Sequence, residues 1–105
     1  MRILVIKIHF EMDRGTKGED AALHRIYKWA NEVFPSGYTI YKTKGVWRGK
    51  ARESFTVERY DRDLGLAKDA RFITKVRKLA KNLKQTEILI TSFEADMKNV
   101  TSSHQ

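Results

Sequence analysis

A two-layer α+β domain in the order β-α-β-β-α-β is the fold class this sequence predicts, and three observations predict it. Arg2 to Phe10 is rich in β-branched residues, and its apolar members Leu4, Ile6, Ile8 and Phe10 recur at every second position. Two later stretches, one holding Leu23, Ile26, Ala30 and Val33 and the other Phe72, Ile73, Val76, Leu79, Ala80 and Leu83, repeat at helical spacing instead. Two strand-like segments lie between these helices, and a short apolar run, Ile88-Leu89-Ile90, follows the second.

The first strand spans Arg2 to Phe10, with one continuous apolar face and Lys7, His9 and Glu11 on the other. Thr16-Lys17-Gly18-Glu19 has the spacing of a capping box, so a helix is expected from about Glu19 to Phe34, stopped by Pro35-Ser36-Gly37. Tyr38 to Lys44 reads as a strand, Gly45 to Lys50 as a turn or flexible connection, and Arg52 to Tyr60 as the hairpin partner. The second helix sets its apolar stripe opposite a row of cations, and Glu87 to Phe93 is the last strand. This order predicts the ferredoxin-like arrangement, a four-stranded antiparallel sheet with both helices on one face. Right-handed crossovers put the first and third strands at its centre, with Glu53 opening a central strand. The sheet's other face is left uncovered, and Tyr41 and Tyr60 are candidates to line it.

A chain of 105 residues with 41% hydrophobic content suffices for one core, read as a domain over residues 1–99 and a flexible polar tail over 100–105. The absence of cysteine excludes disulfides, thiolate nucleophiles and cysteine-based zinc sites, and fits a reducing cytoplasm. The first strand is interrupted by Lys7 and His9 and lacks a small-residue cleavage site, which argues against a signal peptide. No apolar run approaches the roughly 20 residues needed to cross a bilayer, so a soluble protein with no membrane partner is expected.

The formal charge of +8 raises affinity for polyanions without conferring sequence recognition. From Leu64 to Gln85 the cations Lys68, Arg71, Lys75, Arg77, Lys78, Lys81 and Lys84 face one acid, Asp69. Such a helix can hold phosphates, although a lysine-rich outer face is more often simply solvated. The aromatic signature of an RNA-recognition motif is missing from the third strand, Arg52 to Tyr60. His9, Glu11 and Asp13 alternate as metal ligands can, but the commoner origin of that pattern is the polar side of a strand, and no metal site is assigned. Gly45-x-x-x-Gly49 lacks the Lys-Ser/Thr that a phosphate-binding loop requires.

Glu53 stands out as a carboxylate at the head of an apolar strand, after two glycines, a tryptophan and three cations. Position alone favours a salt bridge with Arg48 or Arg52. Trp47 and Arg48 in the connection are compatible with surface decoration, but a tryptophan beside an arginine is costly to expose, which is equally compatible with packing on a ligand or a neighbouring subunit.

Gly45-Val46-Trp47-Arg48, then Glu53 entering a strand, then Gln85-Thr86-Glu87-Ile88-Leu89-Ile90 resembles the phage-encoded S-adenosylmethionine lyases, once called S-adenosylmethionine hydrolases. Those enzymes show a similar Gly-x-aromatic-Arg element, a Glu before the third strand and a Gln-acid-apolar start to the last. Phe34-Pro35-x-Gly37 is also similar to an uncharacterised bacterial domain family of like layout. The likeness covers most of the chain in element order and some ten residues in identity.

The resemblance implies a homotrimer like the nitrogen-regulatory signalling proteins, with ligand sites between subunits and no cofactor. It implies cleavage of S-adenosylmethionine to methylthioadenosine and homoserine lactone. Glu53 would be the catalytic residue, holding the substrate ammonium, with Tyr41, Trp47, Arg48, Gln85 and Glu87 around the substrate. The alternatives are a non-catalytic trimeric module that binds or sequesters a nucleotide or small ligand, and a basic nucleic-acid-associated protein using the second helix. The basic balance favours an anionic ligand over cationic S-adenosylmethionine, although a local cleft can oppose net charge.

Overall fold

A computed structural model describes residues 1–11 and 16–102, excluding the side chains of residues 16–20 and of Trp47. The capping-box reading of Thr16 and Glu19, the Asp13 end of the metal reading and the last three residues of the tail lie outside that description. The strands are β1 (Arg2–Glu11), β2 (Thr39–Trp47), β3 (Lys50–Asp61) and β4 (Leu89–Asp96), and the helices are α1 (Thr16–Val33) and α2 (Ala70–Asn82). They form one antiparallel sheet in the order β2-β3-β1-β4, with β1 and β3 central as the crossover argument expects. This is the ferredoxin-like arrangement.

The alternation in β1 decides which side the helices take. Leu4, Ile6, Ile8 and Phe10 pack with Phe55 and Val57 of β3 against Ile26 and Ala30 of α1 and Phe72, Val76 and Leu79 of α2. Trp29 locks the two helices over this core. Its ring meets Phe10 and Phe34 edge-on, at centroid separations of 6.4 and 5.9 Å, and its indole N–H donates to the Lys75 carbonyl at 3.1 Å. Asp69 caps α2 by accepting from the Phe72 amide at 3.0 Å, a start signal carried by the one acid in that basic stretch.

Element ends differ from the sequence expectation in ways that matter for the site. α1 begins at Thr16, three residues before Glu19. β4 runs Leu89–Asp96, later than the expected Glu87 to Phe93, its ladder with β1 extending from His9 opposite Leu89 to Arg2 opposite Asp96. The largest correction concerns Gly45 to Lys50, which is no long connection. Both strands continue through it, pairing Gly45 with Arg52, Val46 with Ala51 and Trp47 with Lys50. Only Arg48 and Gly49 stand outside the ladder, at φ +49° and +78°, the left-handed pair that a tight two-residue hairpin turn requires. Pairing of β3 with β1 starts only at Ser54, so residues 44–53 form a two-stranded arm beyond the sheet. With the arm, the chain measures 52 × 30 × 28 Å, and its radius of gyration of 15.5 Å exceeds the ~13 Å of a compact domain this long. Among the described residues no helix is long and apolar enough to cross a membrane.

Candidate functional site

At the end of the sheet where the arm departs, a cleft of about 780 Å³ opens between the end of β1, the first half of α1 and the turn from α2 into β4. The local chain explains its wall. After Leu83, Lys84 takes the left-handed conformation at φ +57°, while the Gln85 amide donates to the Ala80 carbonyl at 2.9 Å and the Lys84 amide to that of Lys81 at 3.1 Å. This paired closure ends α2 abruptly and turns Gln85, Thr86 and Glu87 across the cleft. Lysine rather than glycine at such a position costs about 1 kcal/mol of backbone strain. Arg25 of α1 braces the same turn by donating to the Asn82 carbonyl at 3.2 Å, a cation set against a helix C-terminus.

The cleft mixes charges. Glu11 and Glu87 supply carboxylates, Arg25 and Lys84 cations, and His9 and Ser54 neutral polar groups. The Gln85 side-chain amide donates to the Glu11 backbone carbonyl at 2.5 Å, and its Oε1 is buried with no hydrogen-bond partner among the described residues. A buried acceptor left unpaired costs about 1–3 kcal/mol. Among the described residues no group of three or more acids or histidines is placed to hold a metal ion.

Behind the cleft runs a polar network on the uncovered sheet face. His9 lies between β3 and β4, its Nδ1 3.1 Å from Thr56 Oγ1 and its Nε2 3.2 Å from Thr91 Oγ1. One ring nitrogen donates and the other accepts, so the neutral imidazole is fully satisfied. Burial, then the Lys7 charge, lowers its pKa from the usual histidine value. Farther along, Tyr41 donates to Glu58 at 3.2 Å, and Lys7 lies 3.6 Å from the same carboxylate and 5.9 Å from the Phe93 ring centroid. Burial, then the Glu58 carboxylate, raises the Tyr41 pKa.

The sequence-predicted site residues fall into three places. Gln85 and Glu87 meet in the cleft. Tyr41 lies on the uncovered face, as does Tyr60, which by register sits opposite Val5. Glu53 points to the opposite face of the β2–β3 ladder from Tyr41, at the root of the arm and outside the cleft, with its carboxylate 3.2 Å from Lys42. Its partner is thus Lys42, while Arg52 reaches Glu11 at 3.8 Å. Trp47 and Arg48 stand at the far end of the arm. One chain therefore does not bring Glu53, Tyr41 and Gln85 together. Sequence reasoning missed the parts of Arg25, Ser54 and Glu11 in the cleft, and the threonine clamp on His9, because each depends on strand register.

No protein-family model matches the chain, and no curated protein matches it in sequence. Among solved structures, a phage SAM lyase in complex with S-methyl-5′-thioadenosine is similar at 15% identity and TM-score 0.54, over 88% of this chain and 81% of that one. A DUF3240-family protein from Shewanella baltica is similar at 15% identity and TM-score 0.56, over 95% and 97%. A dimeric ferredoxin-like protein from an uncultured marine organism is similar at 11% identity and TM-score 0.50, over 97% and 95%. At these identities the likeness is one of fold, a remote structural resemblance.

Proposed function

We propose that this chain is a lyase that cleaves S-adenosylmethionine to methylthioadenosine and homoserine lactone, in a site completed by another copy of the chain in a homotrimer. The observation that carries the reading is the mixed-charge cleft, where the carboxylates of Glu11 and Glu87 gather in a chain of net charge +8. Acceptors so placed suit a cationic ligand, and the accompanying cations suit one that also carries a carboxylate. S-adenosylmethionine carries an ammonium, a sulfonium and a carboxylate. The likeness of fold to a phage SAM lyase supports the same choice.

The reaction asks little of a protein. A substrate carboxylate oxygen forms a bond to its own γ-carbon, and the C–S bond breaks with its electron pair going to sulfur. Methylthioadenosine leaves as a neutral thioether, homoserine lactone keeps the ammonium, and no proton moves. Folding the methionyl chain into attack geometry supplies the main advantage. Because carboxylate and sulfonium charges cancel as the bond forms, excluding water helps further.

Gln85 and Glu87 hold the ammonium in the cleft of one copy, and Glu53 comes from the arm root of another. Its pair with Lys42 is no obstacle, since both side chains are about half exposed and such pairs contribute under about 1 kcal/mol. Tyr41, on the uncovered face, lies towards the neighbouring copy. The test is to incubate purified protein with S-adenosylmethionine and separate the products by chromatography. Methylthioadenosine well above the spontaneous background is expected, and Glu53→Gln should abolish it with the fold retained. No excess product sinks the reading. Binding without turnover replaces it with a sequestering module.

A further inference from the structure

The arm is a regular element that the core does not explain. Its described side chains from Lys44 to Glu53 are all exposed, and Val46, near its tip, is 68% exposed. An isolated two-stranded hairpin is marginal in water, so an arm with no core of its own is expected to find its ordering contact elsewhere. Its composition indicates what that contact is. From Lys42 to Glu53 the cations are Lys42, Lys44, Arg48, Lys50 and Arg52, against the single carboxylate of Glu53. Lys44 and Lys50 have no ion pair among the described residues. They sit on opposite faces of the ladder, Lys44 with Glu53 and Lys50 with Arg52. A polyanion that flanks the ribbon on both sides satisfies both.

We propose that the β2–β3 arm is a binding element for duplex DNA, laid in the major groove with Lys44 and Lys50 on phosphates of the two flanking strands. The dimensions agree. Four paired residues on each strand beyond the sheet give a ribbon about 13 Å long at ~3.3 Å per residue. The major groove of B-form DNA is about 12 Å wide and ~8.5 Å deep and admits a two-stranded ribbon. The deep, narrow major groove of A-form RNA does not. The tight Arg48-Gly49 turn keeps the two strands in register. Phosphate contacts without base readout make the binding tolerant of sequence. The inference does not rest on the lyase reading; Lys44 is the register partner of Glu53, so in that reading the DNA-facing part of the arm begins where the neighbouring copy's cleft ends.

The test is fluorescence anisotropy of a labelled random-sequence duplex DNA with the intact protein from 50 to 200 mM salt. Two phosphate contacts predict roughly a 12-fold loss of affinity across that range. The Lys44→Ala/Lys50→Ala double variant should bind weakly and lower the logarithmic salt slope by about 2, with an unchanged circular dichroism spectrum. Lys75→Ala/Lys78→Ala, on the outer face of α2, should bind as the parent does. Absence of duplex binding at 50 mM salt overturns the proposal. So does tighter binding to duplex RNA or to single strands, or a loss that follows the α2 variant instead of the arm variant.

Discussion

β1 and the arm are both extended chain in one sheet, yet opposite forces define them. Along β1, Ile3 to Ile6 are buried consecutively, even on the face that no helix covers. The described side chains of residues 44–53 are all exposed, and the segment is held by its own ladder and a two-residue turn. Apolar burial specifies the first and backbone conformation the second. The contrast separates stability from function: substitutions in β1 should act on folding, and substitutions in the arm on what the protein meets.

The largest expected effect breaks the contrast if it fails. Phe10 is fully buried beneath Trp29, and Phe10→Ala should cost about 3–5 kcal/mol in urea denaturation. Val46→Ala, in the arm, should stay within about 0.5 kcal/mol of the parent. A comparable loss at both sites would mean that the arm is part of the core.

A smaller effect sharpens the conformational half. Gly49→Ala meets no neighbouring atom, so its cost is only the strain of φ +78°, about 1–2 kcal/mol. The loss should be concentrated in the arm, seen as faster hydrogen exchange at residues 44–53 with β1 amides unchanged. The smallest effect concerns His9. Its folded pKa lies below the unfolded value, so the unfolded chain binds the proton more readily. The contribution of neutral His9 is therefore fully present above about pH 6.5 and falls away as pH drops through that value towards the folded pKa. The urea midpoint should decline slightly from pH 7.5 to 5, and His9→Gln should flatten that part of the profile.

What the sequence could reveal follows the same division. The apolar face Leu4, Ile6, Ile8 and Phe10 and the stripe from Phe72 to Leu83 made the sheet, its central strands and both helices legible, because burial leaves a periodic mark. The arm was not legible. Gly45 and the Trp-Arg-Gly run look like loop chemistry, and a tight turn with arginine in the left-handed region leaves no periodic trace. The cleft was legible only in part. Gln85 and Glu87 adjoin in sequence, but Glu11, Arg25 and Ser54 join them through tertiary contacts. Glu53 and Tyr41, adjacent in the proposed chemistry, fall on opposite faces of one ladder because their register positions differ in parity.

In the proposed lyase, Glu53 of one copy and Glu87 of another complete a single site, so the two positions should complement each other between chains. The direct measurement is methylthioadenosine production after co-refolding equal amounts of Glu53→Gln and Glu87→Gln chains, each inactive alone. Half of the arm roots and half of the clefts are intact in the mixture, so roughly one quarter of the parent turnover should return. A mixture as inactive as either variant alone would contradict a shared site, and a fully active Glu53→Gln chain would contradict the role of Glu53 itself.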